Sequence, residues 1–236
     1  MQRMPKIERE NLTGDLAAFF DAVTGLLGRV PNFYRTISHA PWYAMLLLPF
    51  NASVQRQWAG SRMTGRIKEM VVIKTSHVNG CQYCYAHNTA LGKAAGITDD
   101  EVVEISSEDF HQSQTLSPGE KLAVRWAEAV TLNKAAADDE LYGQMKDVFS
   151  DAEIVELTMV SAMFNMINRL NDSLRVPVED ADEINLIKRS LNMDPAKVQA
   201  YVSWVAENWP EASSERFAAM NAEAEGAASW AKEAAE

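Results

Sequence analysis

The stretch SDAEIVELTMVSAMFNMINRLNDSL, Ser150 to Leu174, runs for more than twenty residues without a proline or glycine. It opens on Ser-Asp, a pair suited to an N-cap, and repeats apolar residues at helical spacing. A segment this long and uninterrupted reads as a helix, and the rest of the chain agrees with it. Leu16, Phe19, Phe20, Val23, Leu26 and Leu27 form one stripe of period 3.6. Leu122, Val124, Trp126, Ala129, Val130 and Leu132 form another, preceded by Ser117-Pro118 with Glu120 three residues after the serine. That is a capping box with proline at the first helical position. No segment alternates apolar and polar residues with β-branched enrichment and hairpin turns. The chain reads as all-α, with breaks expected at Pro31, Pro41, Pro49, Asn79-Gly80, Gly96, Pro118 and Pro177. After Gly96, a new helix is expected to start from a cap at Thr98.

With 236 residues, nearly half of them apolar, there is material for a sizeable core, and eight prolines and eleven glycines are few for that length. The formal net charge of −11, with no run of Lys and Arg, argues against nucleic acid and against an anionic membrane surface. The longest apolar run, Pro41 to Phe50, falls short of the ~20 residues that span a bilayer. The charged N-terminal sequence lacks the apolar core of a signal peptide. These features set the expectation of a soluble, cytoplasmic protein, where a Cys-x-x-Cys pair serves catalysis or metal binding more often than structure. Beyond about residue 181 the chain becomes rich in Ala and Glu, with Trp204, Trp209, Phe217 and Trp230. This tail reads as a peripheral helix, or as one whose aromatic residues anchor a partner subunit.

The chemistry concentrates in KEMVVIKTSHVNGCQYCYAHN, Lys68 to Asn88, which holds both cysteines and two of the four histidines. Met70 to Val78 reads as a helix stopped by Asn79-Gly80, with a second helix starting at or next to Cys81. Cys81 and Cys84 then share one face within the first turn, and His87 follows three residues on. Backbone N–H groups and the helix dipole favour negative charge there, so a lowered thiol pKa is expected. Glu69, returned by the preceding helix, completes a carboxylate, imidazole and thiol set suited to nucleophilic catalysis. The second thiol allows disulfide closure.

The spacing Glu69, eleven residues, Cys81, two residues, Cys84, with a nearby histidine, resembles the motif of the AhpD-like alkylhydroperoxidases within the carboxymuconolactone decarboxylase superfamily. SPGEKLAVRWAEAVTLN, FSDAEIVELTMVSAMFNMINRLNDSLRVP and VPNFYRTISHAPW extend the resemblance over roughly residues 30 to 178. It implies an all-helical AhpD-like domain, residues 1–180, with a helical hairpin carrying the motif (region 66–92) and a C-terminal extension, residues 181–236. It also implies hydroperoxide reduction with Cys84 attacking and Cys81 resolving. Glu69 and a histidine would relay protons, an external thiol or dithiol would act as reductant, and the chain would assemble as trimers or hexamers without a cofactor. In the best-known members the relay histidine lies four residues after the second cysteine, and Asn88 stands there. His87 is the nearest substitute and His77, four residues before Cys81, a second; Tyr83 is a possible pocket residue.

Other readings compete. A lactone decarboxylase is implied by the superfamily name, although that branch works without the cysteine pair. A non-catalytic redox sensor or zinc-binding oligomer is a third, with His77, Cys81, Cys84 and His87 as the four ligands. Glu69 also reads as a surface carboxylate or a salt-bridge partner of Arg66, and Met159, Met163 and Met166 read as core packing. Asn168 and Arg169 match a recurrent Asn-Arg pair of the family and read as structural hydrogen-bonding residues. Residues 66–88 can also be laid over 151–172, Glu69 on Glu156 and Cys81 on Asn168, which suggests an internal pseudo-repeat of two helix pairs.

Overall fold

A computed structural model of the chain describes residues 2–208 and 213–233, the side chains of 213–214 and 228–233 excepted. Among the described residues it is all-α, with no β-strand. The α-helices are α1 (Gly14–Leu27), α2 (Asn32–Ile37), α3 (Pro41–Gln55), α4 (Gly65–Val78), α5 (Gln82–Ala94), α6 (Asp99–Ser106), α7 (Pro118–Thr131), α8 (Asp139–Val148), α9 (Asp151–Leu174), α10 (Ala181–Asn185), α11 (Pro195–Glu207) and α12 (Ser213–Glu233). None is long and apolar enough to cross a membrane. The chain divides into two compact units, residues 54–173 and residues 1–53 together with 174–236.

In the first unit, α4 packs against α5, α6 and α7. Residues Lys68 through Ser76 of α4 are all buried, so no face of that stretch meets water. Met70 and Ile73 join Ile97, Val102, Ile105, Phe110, Leu116 and Val124 in one apolar cluster. Two lysines enter this interior, and each finds a counter-charge. Lys68 Nζ lies 2.6 Å from Glu156 Oε1 and donates to the carbonyls of Val54 and Arg56. Lys74 Nζ lies 3.0 Å from Glu128, donates to the Ser107 carbonyl and sits over the Phe110 ring. Small polar side chains line the seam between α4 and α9: Thr75 with Ser161 at 3.0 Å, and Asn168 with the Thr75 carbonyl at 3.4 Å.

The expected caps form. Ser117 and Glu120 make a reciprocal capping box with Pro118 at the first helical position, Thr98 and Glu101 make another, and Ser150 and Glu153 exchange hydrogen bonds at the start of α9. Where the pseudo-repeat calls for a second helix pair, α9 is a single continuous helix with no break matching Asn79-Gly80. Of the three methionines read as core, only Met163 is buried; Met159 and Met166 are exposed.

In the second unit, α1 buries its predicted stripe and packs against α11, α12 and the 3-10 turn Leu186–Ser190. The tail therefore closes on the chain's own N-terminal helices. Phe217 stacks on Trp42 with ring centroids 4.2 Å apart, and Arg216 pairs with Asp15. Trp209 and the side chain of Trp230 lie outside the described residues.

The break expected at Pro49 is absent, because α3 runs through it. Proline has no N–H to give the carbonyl four residues back, which is that of Met45. The Tyr201 hydroxyl supplies the missing donor, at 2.8 Å from the Met45 oxygen. A long-range side chain thus replaces the lost helical hydrogen bond. Removing it in Tyr201→Phe leaves a buried carbonyl unsatisfied, with an expected loss of about 1–3 kcal/mol in urea unfolding. A midpoint equal to wild type would show that the helix tolerates Pro49 without it.

Candidate functional site

The site is built at the junction of α4 and α5. Gly80 has φ +70°, a left-handed backbone that costs glycine nothing. Its N–H donates to His77 O at 2.9 Å, and the Cys81 N–H donates to Ser76 O at 3.0 Å. This pair of bonds is a Schellman termination of α4. Cys81 is at once the last residue of that motif and the N-cap of α5. Cys84 falls three residues into α5, so the sequence-predicted pair does share the first turn. Helix α5 then packs back on α4 through Gly92, where a Cβ would lie 3.0 Å from Ile97 Cδ1, 3.1 Å from Ile73 Cδ1 and 3.5 Å from Glu69 Cβ. The missing side chain lets the two helices approach beside Glu69.

Both cysteines are free thiols and both are buried. The Cys81 thiol neighbours the Cys84 sulfur, and Asn171 of α9 donates to that sulfur from Nδ2 at 3.3 Å. Contrary to the expectation from the helix dipole, the Cys84 thiol is pushed well up from its ordinary range. The largest cause is burial, and the neighbouring Cys81 adds to it. The Asn171 hydrogen bond pulls the other way, and Asp172 opposes the thiolate. Desolvation outweighs the dipole because the sulfur is almost wholly removed from water.

Glu69 is fully buried, so it is not a surface carboxylate. It does not pair with Arg66, which binds Glu101 and Glu120 instead. Its Oε1 accepts from Gln55 Nε2 at 3.1 Å, and its Oε2 is buried without a hydrogen-bond partner. Burial raises its pKa to about 8 against the opposing pulls of Arg56, Gln55 and Lys68. At neutral pH the group is therefore largely a carboxylic acid.

Gln55 Nε2 also donates to Asn88 Oδ1 at 2.6 Å, and Asn88 Nδ2 donates to the Cys84 carbonyl at 2.6 Å. Arg56 holds the other end of the Gln55 amide. The residue standing where an imidazole was expected thus joins Glu69 to the cysteine helix through an amide bridge. His87 is buried on the same helix; its Nδ1 lies 2.7 Å from the Tyr83 carbonyl and its ring stacks on Tyr83 at 4.2 Å. A carbonyl can only accept, so Nδ1 carries the hydrogen, and in a neutral ring Nε2 holds the lone pair. Neither His87 nor His77 is hydrogen-bonded to Glu69. His77 is exposed, and its ring neighbours Tyr85 at 6.2 Å.

The structure does not bring together the four residues of the zinc reading. Among the described residues no group of three or more His, Cys, Asp or Glu side chains is placed to hold a metal ion. The left-handed turn at Gly80 leaves His77 exposed while both cysteines are buried. Sequence reasoning also missed Gln55, Arg56 and Asn171. The signal for Asn171 was present: Asn168 and Asn171 recur at helical spacing on the buried side of α9. Gln55 carried none, being the last residue of an apolar helix.

Residues 50–130 match the carboxymuconolactone decarboxylase family. The Bacillus subtilis (strain 168) protein YdfG is 26% identical over 105 residues, covering 44% of this chain and 70% of that one. A solved structure described as an alkylhydroperoxidase AhpD core, an uncharacterized peroxidase-related protein from Ralstonia eutropha JMP134, superposes with a TM-score of 0.64 at 22% identity, covering 80% of this chain and 96% of that one. The debrominase Bmp8 superposes with a TM-score of 0.64 at 20% identity, covering 78% and 96%. At these identities the two structures speak for the fold.

The carboxyl of Glu69 has a testable consequence for stability. Its folded pKa, about 8, lies above the ordinary 4.5, so the unfolded chain loses this proton first as pH rises. The stability tied to the protonated carboxyl is complete below 4.5, falls between about 4.5 and about 8, and is level above. Glu69→Gln cannot ionise and should gain on wild type across that window, by at most about 1.4 kcal/mol per pH unit. Urea midpoints of both proteins through the window measure this. A difference that does not change with pH would mean that Glu69 titrates normally.

Proposed function

We propose that this chain, a member of the carboxymuconolactone decarboxylase superfamily in its AhpD-like branch, is a thiol-dependent peroxidase. The observation that carries the reading is a reduced, buried dithiol at a helix start, flanked by a carboxyl group that burial keeps protonated.

Cys84 attacks. Because burial favours its thiol form, a base must take the proton, and His87, three residues on with its lone pair at Nε2, is assigned that role. The Cys84 thiolate attacks the terminal oxygen of the hydroperoxide and displaces the alkoxide. An S–O bond forms, the O–O bond breaks, and the electron pair leaves on the alkoxide, which takes a proton from Glu69. Cys84 becomes a sulfenic acid. Cys81 then attacks that sulfur, giving its proton to Glu69; the hydroxide leaves with the proton held by His87 as water, the disulfide forms, and an external thiol or dithiol restores both thiols. Gln55 and Asn88 hold Glu69 against α5, and Tyr83 stacks on and orients His87. The cycle calls for no metal or organic cofactor. Exposed Val155, Met159 and Met166 on α9 suit assembly into the expected homotrimer or hexamer.

The fold also serves a debrominase, so the test must address the reaction itself. Peroxide consumption with excess dithiol is measured for wild type, Cys81→Ser, Cys84→Ser and Glu69→Gln. Cys84→Ser should abolish turnover. Cys81→Ser should retain one oxidation per chain without forming an intramolecular disulfide. Glu69→Gln should lower kcat by about 10²-fold. Metal-free wild type that consumes neither hydrogen peroxide nor an organic hydroperoxide would sink the reading. Turnover of a muconolactone by the double Cys→Ser protein would replace it with the decarboxylase. Stoichiometric zinc lost on Cys81→Ser would favour the sensor.

A further inference from the structure

Asn171 lies in α9, outside the Cys-x-x-Cys motif, and is only 2% exposed. Its Nδ2 makes two hydrogen bonds, to the Ile167 carbonyl at 3.0 Å and to the Cys84 sulfur at 3.3 Å. The Ile167 carbonyl can only accept, which fixes the amide with its NH₂ group towards the sulfur. The other end, Oδ1, is buried with no hydrogen-bond partner. A buried acceptor left unsatisfied costs about 1–3 kcal/mol. A donor brought to the nucleophile would relieve that cost.

We infer that Asn171 is a catalytic residue that acts at both ends of its carboxamide: Nδ2–H binds the Cys84 sulfur as it becomes a thiolate, and Oδ1 accepts the O–H hydrogen of the incoming hydroperoxide. The oxygen half rests on the peroxidase reading; the sulfur half does not. The two halves fit one reaction. The oxygen that Cys84 attacks is the one bearing the hydrogen. As S–O forms and O–O breaks, that hydrogen stays on the transferred oxygen and becomes the sulfenic S–O–H, so Oδ1 holds the same hydrogen before and after transfer. The Nδ2–H bond to sulfur strengthens as negative charge gathers there. It opposes burial, the Cys81 thiol and Asp172, all of which disfavour the thiolate. The site thereby selects peroxides that carry a hydrogen on the attacked oxygen over dialkyl peroxides, which have none.

The test uses the full chain with Cys81→Ser, leaving one thiol, and adds Asn171→Leu or the smaller Asn171→Ala, neither of which keeps a side-chain donor or acceptor. Circular dichroism and melting confirm the fold of each, and either variant suffices. The ultraviolet absorbance of the thiolate is followed against pH, and rates are measured for alkylation by iodoacetamide and for oxidation by hydrogen peroxide. We expect the Cys84 titration to move up by about one pH unit in both variants, with alkylation at fixed pH about tenfold slower. Oxidation by hydrogen peroxide should slow by about a further tenfold beyond alkylation. An unmoved titration in a folded variant overturns the sulfur half. Alkylation and oxidation slowed by the same factor overturn the oxygen half. If hydrogen peroxide fails to oxidise Cys84 in the parent, the peroxidase reading and the oxygen half fall together, while the titration still decides the sulfur half.

Discussion

Helix α4 is buried along its middle on every side, and it carries Lys68, Glu69 and Lys74 into that interior. A charge removed from water needs a counter-charge or must neutralise. The two lysines take the first course, with Glu156 and Glu128. Glu69 takes the second, because its hydrogen-bond partner is the neutral Gln55, with Arg56 one bond further out. A single helix thus contains two ion pairs that tie the unit together and one carboxyl poised to give or take a proton. The same burial that makes α4 the centre of the unit makes Glu69 chemically unusual.

The thiols obey the same constraint. Their place at the start of α5 exposes them to backbone N–H groups and to the helix dipole, which favour thiolate. Their depth removes them from water, which disfavours it more strongly. Cys84 therefore rests as a thiol, with a carboxamide N–H from Asn171 on its sulfur, while the His87 imidazole one turn along the same helix is held by the Tyr83 carbonyl. The position where an imidazole was expected carries Asn88, which cannot exchange protons at neutral pH. It serves as a strut, joining the Cys84 backbone to Gln55 and through it to Glu69.

What could be read in advance was local. The capping boxes at Thr98 and Ser117 depend on residues three apart, and the Schellman stop at Gly80 depends on one glycine, so all three were legible. So was the spacing of Glu69, Cys81 and Cys84. Pro49 misled because its remedy, the Tyr201 hydroxyl, lies in a helix far along the chain. The methionines of α9 misled because their spacing alone does not say which face of the helix is covered. Gln55 and Asn171 reach the site from helices distant in sequence, and no local pattern joins them to Cys84.

The order of residues was enough to settle an all-helical chain, the helix ends, and a dithiol at a helix start with a glutamate one helix earlier, because each depends on neighbours within a few turns. Tertiary structure alone decided the protonation of Glu69, the upward push on the Cys84 thiol, the strut role of Asn88 and the meeting of Asn171 with the sulfur. Each of these depends on how much water is excluded and on which distant side chain fills the space, and those are properties of packing rather than of spacing.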